Sequence, residues 1–189
     1  MRRLILVRHA TPMQNPDMPA REWRLSPSGY ADAERLAELL MPYAPGAIFA
    51  SDETKAQQTA QPLANRLSLP VEIMADLREH ERRTVGYLGH DAFQATMARF
   101  FAEPETLVFG EETAHQALSR FSAAIERALT AHLDGDVALF THGTVLTLFA
   151  AAHGAGDAYT FWWRLNLPAW VVFTVPDFAI LETQMRLPE

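Results

Sequence analysis

Three stretches of the sequence place charged or reactive residues directly after a short, mostly apolar run. They are Arg8-His9 after LILV, Ser51 to Lys55 after AIFA, and His142-Gly143 after DVALFT. Short apolar runs of this kind are typical of strands buried in a parallel sheet. Ligands of such sheets bind at the carboxyl ends of the strands, which share one edge. We therefore expect the three stretches to meet at that edge, although they lie far apart in the chain.

Such a cluster would be suited to an anionic group. A histidine can act as a nucleophile, and an arginine can hold two oxygens of a phosphate through parallel hydrogen bonds. Gly143 opens a predicted helix, whose free N–H groups favour an anion. A phosphoryl group satisfies all of these features, and a sulfate or carboxylate satisfies most of them. Each residue taken singly also has an ordinary structural explanation, so the prediction depends on the three stretches occurring together.

The elements between these stretches predict an α/β fold. Strands are predicted over residues 4–7, 46–51 and 70–74. They alternate with a helix that Ser26 caps and a second helix over residues 52–67, within which Pro62 marks a kink or a boundary. This order predicts a three-layer α/β/α arrangement around a mostly parallel central sheet. After residue 111, a Thr113/Gln116 capping box predicts the start of a long helix. A strand DVALFT and a helix ending at Gly154 follow it. The last predicted elements are a closing pair of strands, AWVVFTV and FAILET.

Residues 75–111, which we call the excursion, interrupt this alternation. The segment is charge-dense, contains a short predicted helix DAFQATMARFF, and ends in a predicted loop. A long irregular segment of this kind is typical of a lid or a pocket wall, here placed over the site. Aromatic residues in and after it either line a pocket or pack helices: Phe93, Phe100, Phe101, Tyr159, Trp162 and Trp163.

Composition narrows the class of protein. The 189 residues, 49% of them hydrophobic, suit one domain over residues 1–189. A net charge of −7 argues against a nucleic-acid partner, and no apolar run is long enough to span a membrane. Cysteine is absent, so thiolate metal sites and a cysteine nucleophile are excluded. No metal-ligand spacing is visible, and the expected location is the cytoplasm.

The motifs together resemble those of the histidine phosphatase superfamily, which has the phosphoglycerate-mutase-like fold. VRHATPMQN resembles the family's Arg-His-Gly motif, with Ala10 in place of glycine and Thr11 in place of an acidic residue. SDETKAQQTA resembles the second motif, with lysine at position 55 instead of arginine. LREHERRTVGYLG, GEET with Arg120, and ALFTHGT follow in the family's order, and LSPSGYADA resembles its first helix start.

The resemblance implies a role for each matching residue. His9 would attack phosphorus and carry the phosphoryl group, and Glu79 would protonate the leaving oxygen and then activate water. Arg8, Lys55 and His142 would hold the phosphoryl oxygens. Thr11, Asn15 and the Gly143 backbone would complete the substrate-binding residues. The reaction would require no metal and no cofactor, and the partner would be a small phosphorylated substrate.

Two of these assignments leave alternatives open. Glu81, and after it Asp76, could replace Glu79 as the acid, since all three carboxylates lie within six residues. Lys55 keeps the charge of the family's arginine but not its fork, which predicts weaker binding of the transition state. Arg82 or Arg83 could compensate for that loss.

The chain is therefore expected to be a phosphomonoesterase that forms a phosphohistidine intermediate. The substitution at Lys55 and the altered RHAT motif support an alternative, a non-catalytic domain that binds phosphoryl groups. A mutase is a further alternative within the family, although the mutases carry a larger insertion near the acid residue. A metal-dependent hydrolase is the remaining alternative. The oligomeric state and the substrate cannot be predicted from these residues.

Overall fold

The computed structural model describes residues 1–86 and 88–188. Tyr87 and Glu189, which belong to the predicted domain 1–189, lie outside the described residues. One mixed sheet runs through the described part of the chain. Its strands are β1 (Arg2–Arg8), β2 (Ala47–Ala50), β3 (Val71–Ile73), β4 (Val137–Thr141), β5 (Ala169–Val175) and β6 (Ile180–Gln184).

The strands lie in the order β3-β2-β4-β1-β5-β6. β3, β2, β4 and β1 are parallel, whereas β5 pairs antiparallel with both β1 and β6. The predicted mostly parallel sheet is confirmed, and so is the closing antiparallel pair of strands. β1 lies in the interior of the sheet because it pairs with β4 on one side and with β5 on the other.

Helices cover both faces of the sheet. They are α1 (Pro27–Leu40), α2 (Thr54–Leu67), α3 (His90–Ala102), α4 (Ala114–Ala131), α5 (Gly143–Ala152) and α6 (Ala158–Arg164). One apolar cluster joins α1 and α2 to one face of the sheet, through residues such as Leu36, Leu63 and Phe140. The other apolar cluster packs helices α3, α4, α5 and α6 on the opposite face of the sheet, through residues such as Phe121 and Phe149. The three-layer α/β/α prediction is therefore confirmed.

Two helix starts follow directly from their capping residues. The Ser26 side chain accepts the N–H of Gly29 at 3.0 Å, and Pro27 occupies the first helical position of α1. Thr113 and Gln116 form both hydrogen bonds of a capping box at the start of α4. Both starts agree with the sequence.

Two local expectations differ from the structure. α2 continues through Pro62 to Leu67, so this proline does not mark a helix boundary. The segment after Gly154 contains a helix, α6, that the sequence did not predict. Asp157 begins it by accepting the N–H of Thr160 at 2.8 Å. Trp162 therefore lies on α6 rather than in a loop after the last helix.

No helix in the described part of the chain is both long enough and apolar enough to cross a membrane.

Candidate active site

The carboxyl ends of β1, β2 and β4 place the three predicted stretches at one edge of the sheet. In the parallel register Arg8 lies opposite Thr141, and Ala50 lies opposite Phe140. The His9 N–H donates to the Thr141 carbonyl at 3.1 Å. The Ser51 N–H likewise donates to the Phe140 carbonyl at 3.0 Å, so the residues after β1 and β2 are both held at the end of β4.

His9 is buried, with 6% of its surface exposed. Its Nδ1 lies 2.8 Å from the Ala10 carbonyl oxygen. A carbonyl oxygen only accepts hydrogen bonds, so Nδ1 carries the proton and Nε2 keeps a free lone pair. Burial, followed by the nearby charges of His142, Lys55 and Arg8, lowers the pKa of His9 well below its usual value. The ring is therefore neutral and nucleophilic at neutral pH.

The peptide after His9 is fixed to α2. The Ala10 N–H donates to Thr59 Oγ1 at 3.0 Å, and that hydroxyl donates to the Lys55 carbonyl at 2.7 Å. Thr59 therefore donates its one proton and accepts one N–H at the same time. It thus fixes the backbone that orients the His9 ring.

Arg8 lies beneath the start of α5. Its Nη1 donates to the Leu165 carbonyl, which follows α6. Burial lowers the pKa of Arg8 to about 10, with Glu79 raising it and Arg82 lowering it further. The guanidinium remains charged at neutral pH. A Cβ atom at Gly143 would lie 2.9 Å from Cζ and Nε of Arg8, so this close approach requires glycine.

Gly143→Ala is expected to displace the Arg8 guanidinium, because Cβ contacts of 2.9 Å are too short. If the chain has the phosphomonoesterase activity that the resemblance implies, kcat/KM should fall about tenfold to a hundredfold, the scale for misplacing a positioned group. Steady-state kinetics will measure this loss. Gly89→Ala is the matched control, since beyond its chain neighbours no atom of residues 1–86 and 88–188 lies within 4 Å of its Cβ position. Equal activity of the two variants would contradict the close packing of Arg8 on Gly143.

His142 occupies the N-cap position of α5 and is fully buried. Its Nε2 lies 2.9 Å from Ser51 Oγ and 3.5 Å from Glu53 Oε1. Burial lowers its pKa to about 4, even though Glu53 favours the charged form. Its ring meets that of His9 edge to face, with 5.2 Å between the centroids. The two predicted histidines therefore lie together, and both are neutral.

Glu79 contacts the first turn of α5. Its carboxylate accepts the N–H groups of Thr144 at 3.2 Å and Val145 at 3.3 Å. Burial would raise the pKa of Glu79, but His142, Arg82 and the backbone N–H donors together lower it. The carboxylate is therefore ionised, and it binds the helix N-terminus in place of any other anion.

The other two candidate acids lie outside this contact. Glu81 pairs with Arg78 at 3.1 Å and with Arg83. Asp76 pairs with Arg78 at 3.0 Å and with Arg127 at 2.5 Å. Both carboxylates are engaged in partly exposed ion pairs. The geometry favours Glu79 over them as the acid.

A buried ion pair holds the backbone around Glu79. Arg120 and Glu112 are in contact at 2.5 Å, and both side chains are largely buried. Arg120 also donates to the carbonyls of Asp76 at 2.8 Å and Glu79 at 3.2 Å. The GEET stretch and Arg120 thus fix the start of the excursion to α4.

Lys55 lies in the site, but its ammonium group is already bound. Nζ donates to Glu53 Oε2 at 2.6 Å and to the Ala20 carbonyl at 2.8 Å. Only 5% of Lys55 is exposed. Its role as a phosphoryl ligand stays a prediction. To bind a phosphoryl oxygen, the Lys55 ammonium group would have to give up Glu53 or the Ala20 carbonyl.

Of the two arginines named as substitutes, Arg82 faces the site. Its charge contributes to the pKa shifts of Arg8, Glu79 and His142. Its Cζ lies 5.0 Å from the centre of the Phe93 ring, a cation–π contact. Its buried Nη1 has no hydrogen-bond partner among the residues that the structure describes.

Arg83 is exposed and pairs with Glu81. It therefore lies with the surface ion pairs and not at the strand edge.

Thr11 and Asn15 make hydrogen bonds within the protein. Thr11 Oγ1 lies 3.5 Å from the Leu167 carbonyl, and the Thr11 carbonyl accepts the N–H and the hydroxyl of Ser26. Asn15 Oδ1 accepts the N–H of Asp17 at 3.0 Å, as in an Asx turn. Their predicted roles in substrate binding stay predictions.

The aromatic residues mostly pack α3 against α6. Phe93 and Phe101 contact Trp162, with ring centres 5.8 and 6.2 Å apart. Phe100 is fully buried between Phe101, Phe109 and His80. Trp163 differs, since 54% of it is exposed.

Residues 1–86 and 88–188 contain no group of three or more histidine or carboxylate side chains arranged to hold a metal ion.

These features define a class: an α/β protein with a buried pair of neutral histidines and an arginine at the carboxyl edge of its sheet. Residues 4–177 match the family model of the histidine phosphatase superfamily, branch 1. The chain belongs to this superfamily.

Solved structures with the same fold include several phosphatases. A mycobacterial glucosyl-3-phosphoglycerate phosphatase bound to inorganic phosphate is 26% identical, with a TM-score of 0.72, over 95% of this chain and 93% of that one. The phosphoserine phosphatase of Entamoeba histolytica, as a mutant bound to phosphoserine, is 14% identical, with a TM-score of 0.75 and 97% of each chain covered. YhfR of Bacillus stearothermophilus is 20% identical, with a TM-score of 0.78, over 100% of this chain and 98% of that one. No curated protein sequence matched the chain.

Proposed function

We propose that the protein is a phosphomonoesterase that transfers the phosphoryl group of a small metabolite to His9 Nε2 without a metal ion. The observation that carries this proposal is the hydrogen bond from His9 Nδ1 to the Ala10 carbonyl at 2.8 Å. It leaves Nε2 unprotonated, and the lowered pKa keeps the ring neutral. A neutral imidazole held in one tautomer is a competent nucleophile.

The surrounding groups suit the charge of a transferring phosphoryl group. The Arg8 guanidinium is fixed by the Leu165 carbonyl, so little reorganisation is needed when negative charge develops. The Arg82 guanidinium adds a second positive charge. Its buried Nη1 has no hydrogen-bond partner among the described residues, so this N–H group is available to a phosphoryl oxygen. His142, whose Nε2 contacts Ser51 Oγ, would contribute an N–H donor.

Glu79 is proposed as the acid and base. A phosphoryl dianion arriving beside its carboxylate would raise the pKa of Glu79 through like-charge repulsion. Glu79 would then give its proton to the leaving oxygen as the P–O bond breaks and the bond to His9 Nε2 forms. In the second step it would take a proton from water, which attacks phosphorus and frees His9.

A second candidate is a domain that binds phosphoryl groups without hydrolysis. Two contacts favour it: Lys55 is paired with Glu53 at 2.6 Å, and the ionised Glu79 carboxylate lies on the N–H groups that open α5. Both contacts would have to change before catalysis. This candidate predicts binding of phosphorylated ligands without turnover.

Hydrolysis of a generic aryl phosphate, with and without a chelator, tests the proposal. We expect turnover that survives the chelator and a phosphohistidine that survives alkaline quenching and is lost in acid. Turnover abolished by the chelator would instead indicate a metal-dependent hydrolase. Tight phosphate binding with no turnover on any monoester would favour the binding domain. Because two of the similar solved structures are named for glucosyl-3-phosphoglycerate and phosphoserine, phosphorylated sugar acids, hydroxy acids and amino acids should come first in a substrate panel.

Lys55→Arg is expected to raise kcat/KM by roughly five- to tenfold. A guanidinium can hold Glu53 and still present a second N–H pair to a phosphoryl oxygen, a gain on the scale of one net hydrogen bond, about 1 kcal/mol. Arg66→Lys, on the exposed side of the same helix, is the matched reverse exchange and should leave kcat/KM unchanged. If Lys55→Arg leaves turnover unchanged or lowers it, the prediction that lysine at position 55 binds the transition state more weakly than arginine is wrong.

A further inference from the structure

Glu53 is a buried carboxylate at the centre of the candidate site that the sequence did not indicate. It occupies the N-cap position of α2, where a Ser, Thr, Asp or Asn side chain usually accepts an N–H of the first helical turn. Its side chain makes no such bond and is 8% exposed. It turns inward, towards the strand edge.

Three groups of the site contact the inward-facing carboxylate. Oε2 accepts Lys55 Nζ at 2.6 Å, and Oε1 accepts the Glu79 N–H at 3.0 Å. Oε1 also lies 3.5 Å from His142 Nε2. Glu53 therefore contacts the predicted cation, the predicted acid's backbone and one of the two histidines.

The carboxylate stays charged in this setting. Burial would raise the pKa of Glu53, but His142, Lys55 and the N–H of Glu79 lower it to about 2. His142, with a pKa of about 4, is neutral at neutral pH, so Lys55 is the charged partner there. The pair places a negative charge where the proposed function places an anionic substrate.

We propose that Glu53 determines specificity at this site: it is a resident anion that binds Lys55, and a phosphoryl group has to compete with it for that lysine. This role rests on the phosphoryl site of the proposed function. Free phosphate gains little from Lys55, because the gain is offset by losing the contact at 2.6 Å and by repulsion from the carboxylate. A monoester whose leaving group makes further contacts is then favoured over inorganic phosphate, so the product leaves easily.

Calorimetric titration of inorganic phosphate into Glu53→Gln tests this role. Glutamine keeps an oxygen for the Glu79 N–H but removes the charge that binds Lys55. We expect phosphate to bind about tenfold more tightly than to the wild type, because Lys55 becomes free to bind a phosphoryl oxygen, a gain near that of one hydrogen bond to a charged group. Asp52→Asn is the matched control. Asp52 is the acid next to Glu53, but its charged partner is the exposed Arg21, at a long distance of 3.9 Å. Its phosphate affinity should stay within about twofold of the wild type.

A double variant separates release of Lys55 from simple loss of repulsion. In Glu53→Gln/Lys55→Met most of the gain in phosphate affinity should disappear, because only the loss of repulsion remains. A gain that persists in full there, or no gain in Glu53→Gln relative to Asp52→Asn, would overturn the proposal. If Glu53→Gln does not fold, as judged by thermal unfolding, Glu53→Asp replaces it. Its shorter side chain weakens the lysine contact, so a smaller gain is expected, and no gain would again overturn the proposal.

The two proposals fail in different ways. The phosphate titration needs no turnover, so it reports on Glu53 even in an inactive protein. The proposed function fails if the wild type neither hydrolyses a monoester nor forms phosphohistidine. The role of Glu53 fails if Glu53→Gln does not bind phosphate more tightly than the wild type and Asp52→Asn.

Discussion

Replacing His9 by alanine is expected to lower kcat by at least about a thousandfold, because the variant has no nucleophile to accept the phosphoryl group. The neighbouring ring cannot take over readily. His142 is fully buried, and its Nε2 is engaged with Ser51 at 2.9 Å. Initial rates on an aryl phosphate measure the loss, and alkaline quenching shows whether the phosphohistidine is absent.

A chemically matched control keeps this result interpretable. His115 is exposed and pairs with Glu105, so His115→Ala removes an imidazole far from the strand edge and should keep full activity. Thermal unfolding of both variants checks that each is folded. A phosphohistidine that persists in His9→Ala would show that another residue, with His142 the nearest candidate, is the nucleophile.

Replacing Arg8 by lysine is expected to lower kcat/KM about a hundredfold to a thousandfold, the usual effect of losing one preorganised donor to a developing anion. Lysine keeps the charge, but its three N–H groups diverge from one atom and cannot span the Leu165 carbonyl and two phosphoryl oxygens as the planar guanidinium fork does. The Arg8 guanidinium also packs against the Gly143 backbone, where a Cβ would lie 2.9 Å from Cζ, and this contact is lost in the lysine variant. Comparison of kcat/KM with the Kd for phosphate separates transition-state stabilisation from ground-state binding.

Arg3→Lys is the control on the same strand. Arg3 lies near the other end of β1 and pairs with Asp136 at 2.5 Å. We expect its kcat/KM to stay within about twofold of the wild type, since a partly exposed ion pair contributes little. If Arg8→Lys behaved like Arg3→Lys, the charge of Arg8 would matter and its fork would not.

The convergence of His9 and His142 could be predicted because it depends on periodicity and topology. Buried apolar runs identify β1 and β4, and parallel strands share a carboxyl edge. The helix starts were equally predictable, since the capping hydrogen bonds of Ser26 and Thr113 are local. Local rules of this kind identified the edge where the candidate site lies.

The contacts of Glu53 and Lys55 could not be predicted in this way. An acid and a lysine at the start of a helix usually face solvent, and nothing in SDETKAQQTA shows that both turn inward. Their pairing depends on Ala20 and on His142, which only the tertiary fold brings near. α6 was missed for a related reason: AYTFWWR has apolar residues around most of its circumference, so it lacks a clear stripe. Its Asp157 cap was the available signal.

The position of β1 in the sheet has a consequence for how the chain is made. Both sheet neighbours of β1, β4 and β5, lie in the last third of the chain, beginning at Val137. At a synthesis rate of ~5–20 residues per second, the LILV segment waits roughly 6–26 s before β4 is made. During that time its apolar side chains and unpaired N–H groups are open to other chains. The His9 N–H and the Arg8 guanidinium acquire their partners only when Thr141 and Leu165 arrive, so an incomplete chain can aggregate but cannot assemble the site.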